Sequence, residues 1–131
     1  MPNIKVAHLT VIGGIWDGTK IPLTGRLIVL GRHWQNDIVI KGPTVSRRHA
    51  YIVETPRGVV LRDLNSANGT YVNGGKIGAN EHVLRSGSQI RLGVSEVSLV
   101  FTPEVASYPV LWSDARAIRS AGPYVGMQAA A

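Results

Sequence analysis

Residues 30–74 read LGRHWQNDIVIKGPTVSRRHAYIVETPRGVVLRDLNSANGTYVNG. Short apolar, β-branched runs alternate here with three polar clusters: Gly31-Arg32, then Ser46-Arg47-Arg48-His49, then Asn65–Thr70 followed by Asn73-Gly74. Runs of four to six residues bounded by turn formers read as strands, not helices. Thr55-Pro56-Arg57-Gly58 separates Ala50–Glu54 from Val59–Leu64 as a hairpin turn would. Asn73-Gly74-Gly75 sits between Thr70–Val72 and Lys76-Ile77, and Asn-Gly is the strongest short hairpin signal.

The pattern extends outward on both sides. Ile4–Ile12 is β-branched and partly alternating, and Gly13-Gly14 with Asp17-Gly18 punctuates a turn after it. Thr19–Leu23 reads as a short strand whose Pro22 suits an edge. Leu27–Leu30 reads as a short buried strand. Gln89–Leu92 and Val97–Phe101 complete the series, with Val97, Leu99 and Phe101 on one face. Around ten short strands and almost no helical periodicity before residue 103 predict an all-β, antiparallel β-sandwich over residues 1–103, with Leu30, Ile38, Ile52, Leu61, Ile90 and Leu99 in its core. Residues 104–131 read as a C-terminal extension, partly ordered or linker-like. It has room for one short helix over Ser113–Ala121, capped by Ser113 and ended by Gly122-Pro123.

Composition excludes several functions. Cysteine is absent from the 131 residues, so disulfides and thiolate zinc sites are out. The four histidines show no metal-ligand spacing. No signal-like start and no apolar run near the ~20 residues of a membrane helix is visible, so a soluble cytoplasmic protein is expected. The formal net charge of +6 favours an acidic partner. Aromatic residues make up only 6%, too few for a base-stacking platform, so nucleic acid is disfavoured; it survives as the alternative reading, a basic domain binding polyanions nonspecifically.

The clusters supply arginines, a hydroxyl and amides, with no nucleophile–base pair among them. The glycines fit neither GxGxxG nor GxxxxGK[ST] and stand between strands. No enzyme and no cofactor is expected. Arg32 has planar donors suited to a phosphate. The Ser46 hydroxyl beside Arg47 could donate to phosphate oxygens, and the Asn68 amide could hold a peptide main chain. His49, with two ring nitrogens, suits bracing two loops.

In their order and spacing, Gly31-Arg32, Ser46-x-x-His49, Asn68-Gly69 and Asn73-Gly74 resemble the core motif of a forkhead-associated (FHA) domain, over roughly residues 4–102. The resemblance implies an eleven-stranded β-sandwich that binds phosphothreonine peptides through loops at one end. It implies that Arg32 and Ser46 contact the phosphate, that Arg47 adds a phosphate or backbone contact, and that Asn68 holds the peptide backbone. Gly31, His49, Gly69, Asn73 and Gly74 would support the loops. Two positions depart from the pattern: Ala67 stands where several members carry a hydroxyl, and Thr44 where some carry a basic residue. The implied partner is a phosphothreonine-containing substrate of a Ser/Thr kinase, and phosphorylated tails of the same chain would allow self-association.

Overall fold

The computed structural model describes residues 3–5, 7–103 and 105–107. Its strands, in chain order, are β1 (Asn3–Lys5), β2 (His8–Ile12), β3 (Lys20–Pro22), β4 (Ile28–Gly31), β5 (Ile38–Val39), β6 (Ala50–Thr55) and β7 (Gly58–Asp63). There follow β8 (Thr70–Val72), β9 (Gly75–Lys76), β10 (His82–Val83), β11 (Gln89–Leu92), β12 (Ser98–Thr102) and β13 (Val105–Ser107). No residue described is helical. The proposed helix over Ser113–Ala121 lies outside the described residues. Contacts divide the chain into two units, His8–Thr102 on one hand and the two chain ends on the other. In the latter, β1 and β13 form an antiparallel pair with Asn3 opposite Ser107.

The His8–Thr102 unit holds eleven strands in two sheets, ordered β10-β7-β6-β4-β5 and β3-β2-β12-β11-β8-β9. Alternation decides which side chains face inward. Along β6, Ala50 and Ile52 are buried; along β11, Ile90 and Leu92 are. Register then aligns these rows across strands. In one sheet Ile28, Ile52 and Leu61 lie opposite one another; in the other Val11, Leu99, Ile90 and Val72 do. All six residues expected in the core are buried. Each such side chain contributes roughly 1.5–3 kcal/mol by leaving water, so the two rows together fix register: a one-residue slip would turn every one of them outward.

Two details differ from the expected elements. Ile4–Ile12 is not one strand but β1 and β2, which belong to separate units. Leu27 is 46% exposed and precedes β4, because period-two alternation points Ile28 and Leu30 inward and leaves it out of the row. One pairing is parallel, that of β4 with β5, where Leu30 faces Ile38. The intervening loop doubles back, and the Asp37 carboxylate fastens it by accepting the Val29 N–H at 2.9 Å and pairing with Arg26 at 3.1 Å. The Asn73-Gly74 turn forms as expected, with both residues at positive φ (52° and 85°), the backbone a tight hairpin requires.

Candidate functional site

Three loops meet at one end of the sandwich. They leave β4 (residues 32–37), enter β6 (residues 41–49) and join β7 to β8 (residues 64–69). Their hydrogen bonds give them an order. The 41–49 loop is central. On one side Arg32 N–H donates to the Ser46 carbonyl (2.9 Å), His33 N–H to that of Arg47 (3.2 Å), and Asn36 Nδ2 to that of Arg47 (2.5 Å). On the other side Asn68 Nδ2 donates to the Thr44 carbonyl (3.0 Å) and Ala67 N–H to Ser46 Oγ (3.1 Å).

Gly31 permits the first of these junctions. A Cβ there would sit far inside contact distance of the Arg47 carbonyl oxygen and 2.7 Å from Asn36 Nδ2. Backbone that close cannot step aside, so the glycine is required by approach and not by its dihedral angles.

His49 lies between the 41–49 and 64–69 loops with no exposed surface. Its Nδ1 accepts from the Ser46 N–H at 3.0 Å, which leaves the proton on Nε2, 2.8 Å from the Gly69 carbonyl. Its backbone carbonyl also accepts the Leu64 N–H. One residue thus ties the central loop to both ends of the 64–69 loop. Arg47, two positions earlier, is exposed.

Asp63 is a partner that reading the sequence overlooked. Its Oδ1 accepts the hydroxyls of Ser66 (2.5 Å) and Thr70 (2.6 Å), and Oδ2 accepts the Ser66 N–H (2.9 Å). Ser66 Oγ in turn accepts the Gly69 N–H. Burial pushes this carboxyl up, but the hydrogen bonds from Ser66 and Thr70 outweigh it and hold it below the ordinary value of 3.8. A depressed folded-state value means stability that is present above the unfolded-state pKa and lost as pH falls through the folded one. Asp63→Asn should therefore cost about 2 kcal/mol at neutral pH, and the gap from the parent should close below about pH 4. Urea melts at pH 7 and pH 3 check this; a gap equal at both would overturn it. An Asp followed three residues later by Ser was the available signal.

Thr44 and Asn36 also work harder than their sequence positions suggest. Thr44 Oγ1 accepts the Val94 N–H, across 50 positions, while its carbonyl holds Asn68. Asn36 Nδ2 bridges two carbonyls, those of His33 and Arg47.

The frame leaves specific polar atoms unspent. Arg32 Nε donates to the Val45 carbonyl at 2.8 Å, which fixes the guanidinium plane and leaves both Nη groups without a partner among the described residues. Ser46 Oγ accepts from Ala67, so its own proton is free to donate. Asn68 spends Nδ2 on Thr44 and keeps Oδ1. Among the described residues the side-chain ion pairs are Arg26–Asp37, Arg57–Glu81 and a 4.0 Å His49–Asp63 approach; none involves Arg32, Arg47 or Arg48. The unneutralised Arg32 and Arg47, with the Ser46 hydroxyl as donor and the Asn68 amide oxygen as acceptor, form a surface for an anion attached to a main chain.

The chain matches known proteins in the same terms. The FHA domain family model aligns with residues 28–93, which include all three loops. An ABC transporter ATP-binding/permease protein of Mycobacterium tuberculosis is 42% identical over 83 residues, 60% of this chain but 9% of that protein. A solved structure described under phosphothreonine-dependent FHA domain interactions superposes with a TM-score of 0.64 at 30% identity, covering 75% of this chain and 96% of that one. The Mycobacterium tuberculosis EmbR protein, solved with a low-affinity phosphopeptide, superposes with a TM-score of 0.65 at 35% identity, over 74% of this chain and 24% of that one. The chain thus spans a small part of its longer relatives and nearly all of an isolated domain, and it belongs to the FHA domain family.

Proposed function

We propose that this domain binds phosphothreonine-containing segments of a Ser/Thr kinase substrate through the three-loop end of the sandwich. The carrying observation is the hydrogen-bonded frame that sets Arg32, Ser46 and Asn68 side by side with their ligand-facing atoms unspent. In this reading the Arg32 Nη groups and the Ser46 hydroxyl take the phosphate oxygens. Arg47 adds charge, and Asn68 Oδ1 accepts a main-chain N–H of the bound segment. A phosphothreonine brings nearly two negative charges and three acceptor oxygens, and a preformed frame lowers the ordering cost of binding it. Gly31, His49, Gly69, Asn73 and Gly74 hold the frame in place. The departure at Ala67 removes a side-chain hydroxyl, while its N–H positions Ser46.

FHA domains are interaction modules, and we assign this one binding and no catalysis. No helix among the described residues is long and apolar enough to cross a membrane; a cytoplasmic setting, where Ser/Thr kinases act, belongs to the proposal. The polyanion alternative rests on net charge alone.

The test is a titration of one peptide in its threonine, phosphothreonine and phosphoserine forms. Binding should require the phosphate. The threonine methyl, worth about 1 kcal/mol if it is buried, should favour phosphothreonine over phosphoserine by about fivefold. Equal binding of all three forms would overturn the reading.

A further inference from the structure

The phosphate cradle occupies the junction of the 41–49 and 64–69 loops with Arg32. On the side away from Asn68, between the 41–49 and 32–37 loops, a second cleft of about 500 Å³ opens directly beside it, lined in part by His33, Asn36, Asp37, Arg47 and Arg48. Its walls are fixed: the Asn36 amide donates to both the His33 and the Arg47 carbonyls, and His33 N–H donates to the Arg47 carbonyl as well. The cleft is thus bound to the same loop that carries Ser46.

Its electrostatics are one-sided. Asp37 contributes a carboxylate that is already engaged by Arg26 at 3.1 Å and by the Val29 N–H. Those partners hold it below the ordinary value, the Val29 N–H most strongly. Arg47 and Arg48 are exposed and have no carboxylate partner among the described residues. His33 adds a donor. Its Nδ1 accepts the Gln35 N–H at 3.1 Å, so the neutral ring carries its proton on Nε2. The Trp34 ring stacks on it at 5.6 Å between centroids and restricts its orientation. Two adjacent arginines and an imidazole N–H thus line one cleft, a donor set suited to an anion.

We propose that this cleft is a second anion subsite, which reads an acidic side chain or a second phosphorylated residue flanking the phosphothreonine, on the side away from Asn68. Arg48 is its distinguishing residue. Arg47 lies between the two sites and serves both, whereas Arg48 takes no part in the phosphate cradle. The inference rests on the phosphothreonine reading and narrows it to one ligand class: peptides that carry two anionic groups a few residues apart. A carboxylate and a second phosphate are two sources of one chemistry, and different peptides separate them.

The experiment uses the full chain and a short phosphothreonine peptide, neutral elsewhere, monitored by fluorescence anisotropy. Glutamate, glutamine and a second phosphothreonine are walked through each of the three positions on either side. At a position on one side, glutamate should bind about threefold more tightly than glutamine, and the second phosphothreonine about tenfold more tightly. Arg48→Ala should erase both gains while leaving the glutamine peptide within about twofold of the parent. Arg48→Lys should restore part of them. A gain from phosphothreonine alone would identify a doubly phosphorylated ligand; gains from both would identify an anionic flank of either kind. The subsite is overturned if glutamine, glutamate and phosphothreonine bind alike at every position, or if the gain survives Arg48→Ala in a variant with an unchanged melting temperature. Failure of the singly phosphorylated parent peptide to bind would instead overturn the phosphothreonine reading, and the subsite with it.

Discussion

Arg32→Ala should weaken binding of a phosphothreonine peptide by roughly 30- to 4,000-fold, from micromolar to between tens of micromolar and a few millimolar, with the fold retained. Truncating one member of a hydrogen-bonded charge pair costs about 2–5 kcal/mol, much of it from the partner left unpaired, and a micromolar complex has about 8.2 kcal/mol in total. The fold should tolerate the change because Arg32 makes one side-chain hydrogen bond among the described residues, from Nε to the Val45 carbonyl, at an exposed position. That bond is worth about 1 kcal/mol. Arg32→Lys separates charge from geometry. It keeps a cation but loses both the planar fork and the Nε–H that orients it, so most of the affinity should be lost with it. Ser46→Ala should cost less, since it removes a hydroxyl and no charge. Calorimetric titration of the three variants beside thermal melts checks the order. Full binding by a folded Arg32→Ala variant would show that the phosphate, if bound at all, sits elsewhere.

The strands were legible because their signals are local. Alternation in Ala50–Glu54 and in Gln89–Leu92, and the turn residues Pro56-Arg57 and Asn73-Gly74, need only neighbours within a few positions. The motif residues were legible for a different reason: their types and spacing match a family, although each piece alone is weak. What resisted reading depends on partners far along the chain. Thr44 looked like a gap in the site's charge, yet it joins Asn68 to Val94 through its carbonyl and hydroxyl. Asp63 drew no reading from its neighbours, yet it gathers Ser66 and Thr70. The parallel β4–β5 pair was hidden because a two-residue strand has no periodicity to detect. Arg48 carried a charge that sequence left without an address, and only the cleft between two loops supplies one.

His49→Ala should be the most damaging single change for the frame, with a loss of about 3–5 kcal/mol in stability. The ring is fully buried, so its removal leaves a cavity, and two backbone groups lose their partners: the Ser46 N–H and the Gly69 carbonyl. Neither loss is easily made good by water, because the site lies between two loops that are bonded to one another. For a domain whose total stability is of the usual 5–15 kcal/mol, much of the population would still fold, and the binding of that folded fraction is informative. Ser46 would no longer be held from below, and the 64–69 loop would keep its Asp63 bonds and its Ala67 and Asn68 links to the central loop but lose the buried tie through His49. Affinity should therefore fall although His49 itself has no exposed surface to offer a ligand. His49→Gln tests this account, since its amide can reach toward the Gly69 carbonyl while filling part of the space. It should recover part of both stability and binding. Chemical denaturation together with peptide titration, the latter corrected for the folded fraction, separates the two effects. A His49→Ala variant that melts lower but binds with parental affinity once corrected would show that the cradle is rigid without its brace, and that Asp63 and Asn36 suffice to hold it.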